Sequence, residues 1–179
     1  MLRKDDAVLV IIDVQGRLAS LMYRKEEFFE NVVRIIKGAQ VLGIPIIWNE
    51  QLPDKLGSTI PQVKDALKDH LPLVKHTFSC CDNGDFMSRL AETGRRQALL
   101  AGMETHVCVY QTAIGLLPAG YEVYLVADAV SSRTAENKQI GIEAVKSAGG
   151  KITSVEMALF EMLKVAEGDQ FKQIIQIVK

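Results

Sequence analysis

Three residues of this chain have the types that nucleophilic acyl chemistry needs, and each follows a run that reads as a β-strand. They are Asp13 after AVLVII, Lys75 in LPLVKHTFS, and Cys108 in AGMETHVCVYQTA. A thiol becomes a nucleophile when a base takes its proton. A carboxylate serves as that base, and an ammonium beside it keeps it ionised. The leading N–H groups of a helix lack intrahelical partners and carry partial positive charge. A cysteine in the first turn of a helix starting near Thr105 is therefore expected to have a lowered thiol pKa and to find donors for an oxyanion. Each residue also has a plain role: cysteine as a small core side chain, aspartate as a cap, lysine as a solvated strand end. Their common placement after strands is what joins them into one constellation.

The elements that must position them are legible as an alternation. Ala7 to Asp13 is a continuous apolar run, too short for a helix and rich in β-branched residues, as expected of a strand buried on both faces. EEFFENVVRIIKGAQVLG follows with Phe29, Val32, Val33, Ile36 and Ala39 near helical spacing and Gly43 as its stop. Ile44 to Asn49 is the second strand, Glu50 to Thr59 a loop, and LPLVKHTFS a short third strand ending near Lys75. GDFMSRLAETG is a short helix, RQALLAG the fourth strand, and THVCVYQTAIGLLPAG a helix from Thr105 that Pro118 and Gly120 end. YEVYLVAD, ending in Asp128, is the fifth strand, AENKQIGIEAVKSAGG a helix, and KITS the sixth strand before two last helical segments. This order implies βαβ units: an α/β, three-layer α/β/α, Rossmann-like fold with a mostly parallel six-stranded sheet, as a single domain over residues 1–179. Ligands of such open sheets bind beyond the C-terminal ends of the strands, which is where Asp13, Lys75 and the Gly102-to-Cys108 turn fall.

Bulk properties narrow the partners. The chain has 179 residues, 48% hydrophobic and 24% charged, with 21 basic against 22 acidic side chains and a net charge of −1. No basic stripe points to nucleic acid, and no apolar run reaches the roughly 20 residues that cross a bilayer. The start, Met1-Leu2-Arg3-Lys4-Asp5-Asp6, has no signal-peptide pattern, so a cytoplasmic location is expected. Cys80, Cys81 and Cys108 form neither a disulfide framework nor a zinc-ligand spacing, and the Cys80-Cys81 pair reads as local packing.

The segments VLVIIDVQ, KHTFSCC, LLAGMETHVCVYQTA and GYEVYLVADAVSSR together resemble the cysteine hydrolase (isochorismatase-like) superfamily, in order from Ala7 to about Ser154. The most specific piece is G-x-x-T-x-x-C-V, Gly102 to Val109. NEQLPDKLGSTIP and the C-terminal SVEMALFEMLKVAEGDQFKQIIQIVK look most like the isochorismatase-domain-containing proteins, small hydrolase-like proteins with poorly defined substrates. The resemblance implies a triad of Asp13, Lys75 and Cys108, with Asp13 taking the thiol proton and Lys75 stabilising the charged pair. It implies a cis peptide between Met103 and Glu104, and an oxyanion hole from the backbone N–H groups of Glu104 and Cys108. It also implies assembly into a homo-oligomer, for which QFKQIIQIVK offers apolar positions that either meet a partner or dock on the chain's own sheet.

Two departures bear on substrate. Nicotinamidases of the superfamily carry an Asp-x-His metal cluster after the second strand, where this chain reads Trp48-Asn49-Glu50-Gln51-Leu52. No catalytic metal and no cofactor are therefore expected. True isochorismatases lack the cysteine nucleophile, so Cys108 argues against isochorismate. Gln15, Trp48, Phe78 and His106, with Tyr110, are candidates for the substrate pocket. The expected function is an amidase-type hydrolase of a small amide acting through a Cys thioester. A catalytically silent binding or scaffold protein on the same fold is the alternative. A nucleotide-binding module is disfavoured, because Asp13-Val14-Gln15-Gly16-Arg17 has no G-x-G-x-x-G.

Overall fold

The computed structural model describes residues 1–179. The six residues of the first strand, β1 (Ala7–Ile12), are all buried, which requires layers on both sides. The other strands are β2 (Ile46–Gln51), β3 (Leu73–Lys75), β4 (Gln97–Met103), β5 (Glu122–Ser131) and β6 (Lys151–Thr153). They form one sheet in the order β3-β2-β1-β4-β5-β6, and every pairing is parallel. The helices in chain order are α1 (Gly16–Ala19), α2 (Lys25–Leu42), α3 (Pro53–Leu56), α4 (Pro61–Ala66), α5 (Gly84–Glu92), α6 (Tyr110–Leu116), α7 (Ala135–Ser147), α8 (Val155–Leu163) and α9 (Gly168–Val178). The three-layer Rossmann-like fold is as expected, with the sheet parallel throughout. No helix is long and apolar enough to cross a membrane.

Period-two alternation divides the core. Leu9 and Ile11 join Phe28 and Val32 of α2, Val63 of α4, Ala158 of α8 and Ile174 of α9 on one face. Val8, Val10 and Ile12 join Phe86 of α5, Ala113 of α6 and Val145 of α7 on the other. Helix α2 is set by its buried stripe of Phe28, Val32, Ile35, Ile36 and Ala39, by Glu26 and Glu27 in its first turn, and by Gly43 at φ 69°. The apolar side of α9 docks on its own chain, with Ile174 fully buried and Ile177 and Val178 packed against the same core.

The chain begins in the middle of the sheet, builds outward through β2 and β3, then returns to the far side of β1 with β4. The switch point lies between β1 and β4, whose C-terminal ends open a crevice. Gly102 makes their close approach possible. It sits at φ +142°, and a Cβ there would lie 2.1 Å from the Ile12 carbonyl oxygen.

Two local features differ from the sequence reading. Glu50 to Thr59 is not all loop: β2 runs through Gln51, α3 forms after Leu52 at φ 41°, and Thr59 bridges to Gln15. Proline at the first position of α3 and of α4 suits a helix start. Asp128 does not end β5. Leu100 pairs with Leu125 but Gly102 with Val130, so the intervening stretch bulges. The Asp128 carboxylate there accepts the Val155 N–H at 2.9 Å, tying down α8 rather than the loop AVSSR.

Gly102→Ala combines a backbone conformation that favours glycine with a collision against backbone. A loss of about 3 kcal/mol is expected, seen in thermal denaturation as a Tm lower by roughly 6–12 °C for a domain of this size.

Candidate active site

The end of β1 turns sharply at Asp13, which adopts φ 55°. Its N–H donates to the Asn49 carbonyl at 3.2 Å, and the Asn49 amide donates to the Ile11 carbonyl at 3.1 Å. Lys75 is the last residue of β3, beside Gln51 at the end of β2. From there its ammonium reaches across to Asp13 Oδ2 at 2.7 Å, with the side chains 0% and 5% exposed respectively. It also donates to the carbonyls of Thr77 at 3.0 Å and Phe78 at 3.1 Å, so all three of its protons are used. Asp13 Oδ1 is buried and has no partner.

Cys108 arrives from β4 through a turn in which Thr105–Val109 is π-helical before α6 begins. Single π turns inside helices are frequent at functional sites. The thiol is buried and donates to Gln51 Oε1 at 3.4 Å. Asp13 and the thiol line the same cavity, close enough for the carboxylate charge to act on the sulfur. The Glu104 N–H has no backbone acceptor. Helix α7 backs the turn through Gly141, where a Cβ would come within 2.7 Å of the His106 nitrogen.

The electrostatics differ from the sequence expectation of a depressed thiol pKa. Burial pushes the Cys108 thiol well above its usual 9.0, and the nearby Asp13 charge adds to this. Burial is the largest influence on this thiol and favours its protonated form at rest. Burial also raises the Asp13 carboxyl above 3.8, with the Glu50 charge adding to it and Lys75 opposing it. Cys80 is pushed up to about 12 and Cys81 to about 11, both chiefly by burial.

Above the thiol is a cavity of about 20 Å³, room for one water molecule. Its polar wall is Asp13, Gln15, Gln51 and Glu104, and its apolar wall is Leu18, Leu56 and Met103. Gln15 clasps the roof. Its amide donates to the Gln51 carbonyl at 2.8 Å and the Gly57 carbonyl at 2.7 Å, and its Oε1 accepts the Gln51 N–H at 2.7 Å. Gly16 packs directly under the Leu56 carbonyl. Leu56 and its short helix α3 thus close the site in this conformation. A larger groove of about 520 Å³ along α2 and α9 shares no residue with it.

The expected Met103–Glu104 cis peptide is not found, since every peptide bond is trans. Gly102 at φ +142° and Glu104 at φ −13°, ψ 100° change the chain direction instead. Of the four pocket candidates, Gln15 lines the cavity and three do not. Trp48 lies in the core and donates to Thr59 Oγ1 at 2.9 Å. Phe78 is 54% exposed, and only its carbonyl takes part, through Lys75. His106 Nδ1 lies 3.0 Å from Ser132 Oγ and 3.2 Å from Glu104 Oε2, outside the cavity. Tyr110 packs against the core beneath α6. Gln51, Leu18 and Leu56 escaped the sequence reading. Gln51 stands two residues after Asn49, on the same side of a strand, but ending β2 at Asn49 hid that signal.

The Isochorismatase domain family matches residues 7–157. Isochorismatase domain-containing protein 1 of Danio rerio is 39% identical over 178 residues, covering 97% of this chain, which spans 61% of that protein. Two solved structures superpose closely. The MAR1 ribonuclease of Caenorhabditis elegans has a TM-score of 0.92 at 30% identity, covering 99% of this chain and 91% of that one. YcaC from Pseudomonas aeruginosa, solved with hexane-2,5-diol and covalent acrylamide, has a TM-score of 0.91 at 25% identity, covering 98% and 90%. The sequence match over most of the chain and the shared fold make this chain a member of the isochorismatase family, a family of hydrolase-like proteins.

Proposed function

We propose that the protein is a cysteine hydrolase that cleaves a small amide through a thioester on Cys108. The observation that carries this reading is the division of labour on one carboxylate. Asp13 Oδ2 is held by Lys75, while Oδ1 is free of any partner beside a protonated thiol. When the sulfur attacks the amide carbonyl, the S–C bond forms as the thiol proton passes to Asp13. The carbonyl electron pair moves to oxygen, for which the Glu104 N–H, free of any backbone acceptor, is a candidate donor. Collapse breaks the C–N bond, and Asp13 returns the proton to the leaving amine. Water then attacks the thioester with Asp13 as base, the C–S bond breaks, and the thiol regains its proton. Lys75 moves no proton in this scheme and holds Asp13 Oδ2 in place. No metal enters this scheme, and the site offers no group of three or more His, Cys, Asp or Glu side chains that could hold one.

The covalent acrylamide of the P. aeruginosa YcaC structure supports a reactive nucleophile on this fold, since acrylamide alkylates nucleophiles through its alkene. The ribonuclease activity named for the C. elegans relative is not carried over. A phosphodiester is an anion, no residue lining the cavity is cationic, and the Lys75 ammonium is already taken by Asp13, Thr77 and Phe78. The reading also takes the protein as cytoplasmic and, on family resemblance, as a homo-oligomer; light scattering tests the oligomeric state.

Cys108→Ala is expected to lower turnover of small amides by at least about 10³-fold with the fold intact. Turnover retained in that variant overturns the thioester. If no small amide turns over in the wild type, the silent binding protein is favoured.

The pH dependence separates Asp13 from the other groups. A protonated Asp13 cannot take the thiol proton, and its pKa is raised. The rate of Cys108 modification by iodoacetamide should therefore fall as pH drops through a value above 3.8. Glu50→Gln keeps an acceptor for the Thr59 N–H but removes a charge that raises Asp13. The acid limb should then move to lower pH. An unmoved limb assigns the titration to another group.

A further inference from the structure

The charges around the cavity restrict the substrate further, and this inference rests on the cysteine-hydrolase reading above. We propose that the site accepts uncharged amides and rejects molecules that carry a carboxylate. The one ammonium in reach is Lys75, and Asp13, Thr77 and Phe78 take its three protons. No lining residue of the cavity is cationic, and two, Asp13 and Glu104, are carboxylates. Asp13 is balanced by Lys75. Glu104 is balanced by Arg133, whose Nε lies 2.8 Å from Oε1. That leaves Glu50, buried, with its Oε1 on the Thr59 N–H and no cation against it. The surroundings of the reacting atoms thus carry one uncompensated negative charge.

A carboxylate entering this space would lose its hydration, gain no ion pair and meet the same Glu50 charge that acts on Asp13. An uncharged amide meets what it needs. The Gln51 side-chain amide is turned toward the thiol, Asp13 Oδ1 can accept an N–H, and Leu18 and Leu56 cover the apolar part. Neither Gln15 nor Lys75 has a donor left for an anion, since both amide protons of Gln15 are committed to carbonyls.

Two alkylating reagents of nearly equal size test this without a known substrate: iodoacetamide, which is uncharged, and iodoacetate. Each forms an S–C bond at Cys108 with loss of iodide, and mass spectrometry separates Cys108 from Cys80 and Cys81. The ratio of the two rates at Cys108 is divided by the same ratio for glutathione in the same buffer. The expected preference for iodoacetamide is at least about tenfold beyond glutathione. Leu56→Lys, at a half-exposed roof position, should reduce that preference by raising the iodoacetate rate. A wild-type ratio equal to that of glutathione, or one favouring iodoacetate, overturns the charge selection while the reactive thiol stands. Labelling of Cys108 by neither reagent overturns the nucleophile reading and the selection together.

Discussion

The buried Asp13–Lys75 ion pair is the constraint on which the rest of the site depends. Moving two charges out of water is costly, and the pair holds only with good geometry and full hydrogen bonding. Both conditions are met on the lysine side, where every proton has an acceptor. They are met on the aspartate side for one oxygen only. Removing either partner would leave the other as an unpaired buried charge, at a cost of about 3–5 kcal/mol. The pair therefore disciplines three strands at once. It fixes the end of β1 against the end of β3 across β2, and it pins the Thr77–Phe78 backbone that leads to Cys80. Cys80 in turn donates its N–H to Thr112 on α6 at 3.0 Å, and the Thr112 hydroxyl donates to the Cys108 carbonyl at 2.7 Å. The charged pair and the thiol turn are thus joined by a short chain of hydrogen bonds as well as by proximity.

The resting site is closed and its thiol is protonated, and these two facts belong together. The same burial that admits one water raises the Cys108 pKa and the Asp13 pKa. A permanently ionised thiolate would need an exposed or strongly electropositive setting, and neither exists here. Reactivity in such a site has to come from a proton transfer within it, at the moment the carbonyl arrives. Leu56 and Leu18 cover the cavity, and the roof is held at few points. One side chain, Gln15, holds both Gln51 and Gly57, so the α3 segment is tied to the site by a clasp rather than by a packed core. No residue of α3 is buried.

Much of the fold was legible because burial on both faces writes itself into a parallel strand. AVLVIID and RQALLAG read as strands from their apolar runs and match β1 and β4 to within a residue at each end, and the turn glycines mark where helices end. What was hidden depends on neighbours far away in sequence. Trp48 looked like a pocket wall because it stands at a strand end, yet β2 runs on to Gln51 and leaves Trp48 one layer below. His106 lies within the nucleophile turn, two residues before Cys108, but Ser132 and Glu104 hold it on the outer side. The thiol pKa was misjudged for the same reason. A local rule about helix ends predicts a fall, and desolvation by residues brought from Asp13 to Leu56 reverses it.

The absence of a free cation also separates this site from others that the same fold can build. In open parallel sheets the crevice at the switch point commonly receives anions, because helix N-termini and glycine-rich turns surround it. Here the first turn after β1 spends its space differently. Asp13 takes the position where a phosphate-binding backbone would stand, and Gly16 brings the Leu56 carbonyl, an acceptor, over the crevice. Lys75 comes from the edge strand rather than from the loops, so its charge is absorbed by the floor before any ligand can use it. The fold supplies an anion-binding location, and these side chains convert it into a place where negative charge is already present and must be kept in balance.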